Sequence, residues 1–163
     1  MKTTMLMTTF LLAAAGLAHA AEPFSLTKDN LGEVLTKTNL GLRPEKVNEK
    51  RYRMQTDRGG IKFAISASIS NDGTEVWLNT YVAEIADIAK LPVDVADKLL
   101  VASNDYGPSH FSFVAGEKPG VRSLYLHRAL DNRGLNPAMI REAIDNLASD
   151  VVSTKAVWEA AGR

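Results

Sequence analysis

The sequence predicts an α+β fold: a helix, a three-strand antiparallel meander, a second helix, a two-strand hairpin and a C-terminal helix. Three observations carry this expectation. Three strand-like runs within residues 51–82 are separated by Arg58-Gly59-Gly60 and Asn71-Asp72-Gly73, strong hairpin signals because glycine accepts positive φ without steric cost. A second hairpin is signalled by two apolar, alternating runs around Gly116-Glu117-Lys118-Pro119-Gly120. Near the C-terminus, Ile140, Ile144, Leu147, Val151 and Trp158 form a nearly heptad stripe that would bury one face of a helix.

In chain order, Met1-Lys2 supplies a positive start, Met5–Leu17 is largely apolar, and Ala18-His19-Ala20 ends the stretch with small residues. This is the pattern of a secretory signal peptide over residues 1–20, cut after Ala20, and the run is shorter than the roughly 18 apolar residues a membrane span requires. Residues 21–163 are then expected to be one α+β domain, periplasmic or secreted, with no stable membrane insertion. Thr27–Leu40 reads as the first helix: Leu31, Val34, Leu35 and Thr38 share a face, Asp29 and Glu33 lie early, and Gly41 can close it. Arg43-Pro44 breaks the pattern.

Arg51–Asp57, Ile61–Ser70 and Glu75–Val82 read as the meander, with Ile61, Phe63, Ile65, Ala67 and Ile69 alternating onto one face. Leu91-Pro92-Val93-Asp94 opens the second helix, whose Val95, Leu99 and Ala102 share a side and which stops around Asn104–Pro108. Ser109–Ala115 and Val121–Leu130 form the second hairpin. Pairing Phe111 with Leu126 and Phe113 with Leu124 places all four apolar side chains on one face, and that requirement fixes the register. The last helix begins with Asn136 as N-cap and Pro137 at its first position, and the stripe carries it to Trp158.

Composition narrows the function. The 163 residues include 19 Lys plus Arg, 19 Asp plus Glu, three His and no Cys. A balanced charge argues against a dedicated nucleic-acid binder, whose phosphate contacts need an excess of cations. The lack of Cys removes disulfides, thiolate metal sites and a cysteine nucleophile, so an exported fold must be held by packing alone. No G-x-S-x-G, H-E-x-x-H, phosphate loop or G-x-G-x-x-G occurs. Ser25-Leu26-Thr27-Lys28 matches S-x-x-K without its companion motifs and reads as a helix entry. The expectation is a protein that is not an enzyme and needs no cofactor.

Five residues are candidates for partner binding: Trp77, Tyr81, His110, Tyr125 and His127. Trp77 and Tyr81 are out of phase with Val76, Leu78, Thr80 and Val82 and so share the other sheet face. An open aromatic face would suit a peptide, whereas the need to pack three helices favours a helix lying over it. The hairpin register sets His110 opposite His127 and Ser112 opposite Tyr125. Opposed Cβ atoms lie about 4.5–5.5 Å apart, within reach of a shared metal ion, although a metal site needs further ligands. A small-molecule or metal-binding module on the His110/His127 face is therefore the alternative to protein binding. In residues 43–62, Arg43, Lys46, Lys50, Arg51, Arg53, Arg58 and Lys62 outnumber Glu45, Glu49 and Asp57. The favoured reading is edge protection by Arg51 and Arg53, with an anionic partner as the other use.

The element order, the runs Lys98-Leu-Leu-Val-Ala-Ser-Asn104 and Gly107-Pro-Ser-His-Phe-Ser-Phe113, and the helix start Leu135-Asn-Pro-Ala-Met-Ile-Arg-Glu-Ala-Ile144 resemble the YbjN-like and type III secretion chaperone-like group. The resemblance covers most of residues 24–158. It implies the same α+β fold and a non-enzymatic binder of an unidentified protein or peptide client. It also implies a homodimer formed through the second helix and nearby strands, and a chaperone-like or regulatory role. The chain differs from secretion chaperones in its export signal and its near-neutral charge.

Overall fold

The computed structural model describes residues 25–38 and 40–163. The expected signal peptide at 1–20 lies outside the described residues. Four helices and six strands follow in the order α1 (Leu31–Lys37), β1 (Glu45–Asn48), β2 (Arg51–Arg58), β3 (Ile61–Ile69), β4 (Glu75–Ile85), α2 (Val93–Asp105), β5 (His110–Ala115), β6 (Arg122–Asp131), α3 (Pro137–Ser153) and α4 (Lys155–Ala161). A short 3₁₀ turn, Ile88–Lys90, links β4 to α2. No helix among the described residues is long and apolar enough to cross a membrane.

The meander and the second hairpin merge into one antiparallel sheet of order β1-β2-β3-β4-β6-β5. The join is β4 against β6, with Leu78 opposite Arg128 and Thr80 opposite Leu126. The second hairpin has the expected register: Phe111 faces Leu126, Phe113 faces Leu124 and His110 faces His127. In the turn between β2 and β3, Gly59 and Gly60 take φ of 60° and 75°, values open to glycine at no Cβ penalty.

All four helices pack on the face carrying Met54, Ile65, Val76, Leu78 and Leu126. There α1 and α3 complete the main core through Leu31, Leu35, Ile140, Ile144 and Leu147. A smaller cluster joins α2 and α4 to the far end of the sheet through Ile85, Val95, Leu99, Leu124 and Ala161. Removing each large side chain from water contributes about 1.5–3 kcal/mol, and with no disulfide this burial holds the fold. Gly32 lets the Tyr52 ring lie directly on α1, since a Cβ there would come within 2.6 Å of the phenol oxygen. The buried Asn132 side chain adds a polar lock. It accepts from the Leu26 amide at 2.8 Å and donates to the carbonyls of Leu26 and Gly73, each at 2.8 Å.

Three elements differ from the sequence expectation. Strand β1 follows the Arg43-Pro44 break, in residues that the sequence pattern assigns to no element, because Glu-Lys-Val-Asn has no apolar alternation and every one of its residues is exposed. Helix α1 spans less than Thr27–Leu40. Its entry is a polar turn in which the Thr27 amide donates to Asn30 Oδ1 at 2.7 Å and the Asn30 amide donates to Thr27 Oγ1 at 3.3 Å. The C-terminal helix is two helices, broken at the buried Thr154, whose hydroxyl donates to the Asp150 carbonyl at 2.7 Å. The break turns α4 toward the second cluster, where Trp158 is anchored by Nε1 donating to the Val151 carbonyl at 2.9 Å.

Candidate functional site

Alternation along β4 sends Val76, Leu78 and Thr80 into the core and leaves Trp77, Asn79 and Tyr81 on the opposite face. No helix among the described residues covers that face. Trp77 is 37% exposed and Tyr81 49% exposed. The favoured sequence reading, a helix over the aromatic pair, is therefore corrected. The 3.6-residue stripes that drive helix packing all match the Leu78 face, and the face bearing Trp77 offers Asn79, Ser66 and Ser68 between its rings.

Strand pairing extends the row sideways. Asn79 lies opposite His127 and Tyr81 opposite Tyr125, while His110 and Ser112 on β5 lie opposite His127 and Tyr125 from the other side. All five predicted residues thus share one sheet face. Their rings meet edge to face, Tyr81 with Tyr125 at 5.8 Å and 73°, and Trp77 with His127 at 5.7 Å and 83°. Such pairs contribute about 0.5–1.5 kcal/mol beyond area burial and hold the rings in fixed orientations. Trp77 Nε1 donates to Glu75 Oε2 at 2.8 Å, so the indole keeps a polar partner without leaving the surface.

His110 Nε2 and His127 Nε2 are in direct contact, with ring centroids 3.8 Å apart. Burial, and then the neighbouring His110, lower the pKa of His127. Burial raises the pKa of Tyr81, aided by Glu84 and Tyr125. No group of three or more His, Cys, Asp or Glu among the described residues could hold a metal ion. The pair by itself supplies two nitrogen donors.

Beside the aromatic row lies a groove of about 580 Å³. Strands β3 and β4 pair only over Ile65–Ile69 and Val76–Thr80, so Ile61–Ala64 and the Val82 end of β4 diverge. The buried Val151 and the half-buried Trp158 form part of the groove's lining, together with Arg51, Arg53, Gln55, Lys62, Tyr81 and Tyr125. Edge protection does not describe Arg51 and Arg53. Strand β1 pairs alongside them, Asn48 with Arg51 and Glu45 with Arg53, and the sheet edge lies one strand further out. The sequence signal was the outward phase of both arginines; what it lacked was the nonlocal divergence that brings β2 and Trp158 to one groove.

Sequence reasoning also passed over the outer side of α2. Its inward residues Val95, Leu99 and Ala102 are buried as expected, but Leu100 is 69% exposed, and Val93 and Val101 are also exposed. The consecutive Leu99-Leu100-Val101 was the available sign, since one helix face cannot bury all three.

The geometry defines a class: an α+β protein with a secretion-chaperone-like fold and an open, aromatic sheet face. A chain in the crystal structure of the ExsC–ExsE complex has this fold, with a TM-score of 0.52 and 13% sequence identity over 79% of this chain and 90% of that chain. No family model and no curated protein sequence matches the chain.

Proposed function

We propose that the chain is an exported, non-enzymatic protein that binds a segment of a protein client in a chaperone-like or regulatory role. The uncovered row of Trp77, Tyr81, Tyr125, His127 and His110 carries this reading. Rigid amphipathic rings give contact area with little side-chain entropy to lose, and a contiguous exposed row of them marks a docking surface. Likeness in fold to a chain crystallised in the ExsC–ExsE complex is consistent with it. The exposed Val93, Leu100 and Val101 of α2 support a homodimer built on that helix. The motifs starting at Lys98, Gly107 and Leu135 support a place for the chain in the YbjN-like and type III secretion chaperone-like group.

A photoreactive benzoylphenylalanine at Asn79, within the row, tests the reading in the cells that make the protein. The expected result is an adduct between the chain and a different protein, lost when Tyr81→Ala and Tyr125→Ala are combined. No adduct, or adducts between two copies alone, would overturn it. The same probe at Leu100 reports the dimer, expected as chain-to-chain adducts. A second reading, metal binding, rests on the contact between the two imidazoles. Zinc binding that His110→Ala abolishes would favour it, and a flat titration would remove it.

A further inference from the structure

We infer that the groove beside the aromatic row takes an extended, acidic segment of the client, an inference that rests on the protein-binding reading above. Arg51, Arg53 and Lys62 line the groove, and no carboxylate lines it. Carboxylates stand at its margin: by register Glu45 is opposite Arg53 and Asp57 opposite Lys62, and Glu84 is close enough to Tyr81 to raise its pKa. Glu45 and Asp57 close no ion pair with these neighbours among the described residues, whereas Lys37, Arg58, Lys98 and Arg133 each hold a carboxylate.

Two guanidinium groups on alternate residues of one strand point to the same side, and each can grip a carboxylate with two parallel hydrogen bonds. An extended peptide repeats its side chains with the same period of two, so acidic residues at alternate positions could meet Arg51 and Arg53 together. Tyr81 and Tyr125 form the opposite wall and Trp158 contributes an aromatic surface inside, places for apolar side chains between or beside the acids. Charge complementarity thus selects the occupant, and the volume of about 580 Å³ falls within the range of roughly 300–1,000 Å³ usual for binding clefts.

An array of randomised short peptides, probed with the purified full chain, tests this. Bound peptides should be rich in Asp and Glu interleaved with apolar residues. For one bound acidic peptide followed by fluorescence polarisation, combining Arg51→Gln and Arg53→Gln should weaken binding about five- to tenfold. Its Asn/Gln counterpart should bind wild type and variant alike. Raising salt from about 0.1 M to about 1 M shortens the screening length from about 10 Å to about 3 Å and should weaken only the acidic peptide. Both arginines are exposed, so thermal melting should show the double variant folded.

A bound set with no acidic enrichment, still dependent on Tyr81, would overturn the acidic preference and leave the protein-binding reading standing. An array with no bound peptide would overturn both. Oligothymidylate displacing every acidic peptide would also overturn the inference, in favour of nucleic acid.

Discussion

The two faces of one strand, β4, differ by a single residue of phase and by everything that follows from it. Val76, Leu78 and Thr80 are sealed beneath helices, while Trp77 and Tyr81, larger side chains, remain in contact with water. Side-chain size therefore does not choose the covered face. Continuity does: Leu78 joins Ile65, Ala67 and Leu126 in an unbroken apolar surface, whereas Trp77 and Tyr81 alternate with Asn79 and neighbour Ser66 and Ser68. Trp and Tyr also tolerate the wet side because each keeps a polar group there, as Trp77 does through Glu75. The inner face supplies cohesion and the outer face keeps oriented rings available.

The sharpest way to break this contrast is to truncate one side chain on each face. Leu78→Ala should lower stability by about 2–5 kcal/mol, the usual effect of a large-to-small change in a closed core. Tyr81→Ala should lower it by less than about 1.5 kcal/mol, since it loses an edge-to-face partner and little buried area. Urea unfolding of the two variants checks both. Equal losses would mean that the aromatic face is structural.

The next effect concerns the polar lock at one end of the covered layer. Asn132→Ala removes the bonds to the Leu26 amide and to the carbonyls of Leu26 and Gly73. Unmade bonds on buried groups are costly, and the expected loss is about 2–3 kcal/mol. Hydrogen exchange should show the Leu26 amide becoming unprotected, while peptide binding at the far side of the sheet is retained. An unchanged Leu26 exchange rate would show that packing of Leu26, 2% exposed, suffices without the lock.

Asn132 was invisible in the sequence because its partners lie far along the chain, and the same distinction explains the rest. Whatever depends on local period was legible: alternating apolar residues on β5 and β6 predicted His110 opposite His127, and Asn136 with Pro137 marked the start of α3, where Asn136 Oδ1 does accept from the Met139 amide at 3.0 Å. The five aromatic and histidine residues could be assigned to one face for the same reason. Which face the helices would cover could not, since it depends on how α1, α3 and β6 meet across the chain. The β4–β6 join, the divergence of β3 from β4 and the turn at Thr154 are likewise long-range outcomes. So Arg51 and Arg53 could be read as charged and outward, but not as the wall of a groove facing Tyr81.

The smallest effect tests whether the open face is as rigid as its ring geometry implies. His127 touches His110 and meets the edge of Trp77, and burial followed by His110 holds its pKa below the ordinary value near 6.5. A neutral His127 can accept a hydrogen bond from the His110 ring at Nε2, whereas a protonated His127 carries a proton on that nitrogen and loses the acceptor. Below about pH 6.5 the unfolded chain then binds more protons than the folded one, so stability rises with pH there. The His127 contribution is complete above the unfolded value, declines as pH falls through it, and levels off once pH is below the folded value. Asp72 and Asp131 do not blur this window, because Ser70 and Thr74 hold the first, and Arg133 the second, at a pKa of about 2. Between about pH 7.5 and about pH 5 the melting temperature of the wild type should fall more than that of His127→Gln, which cannot titrate. Parallel curves would mean that the imidazoles separate freely in solution, and the outer face would then be a set of independent side chains rather than a preformed surface.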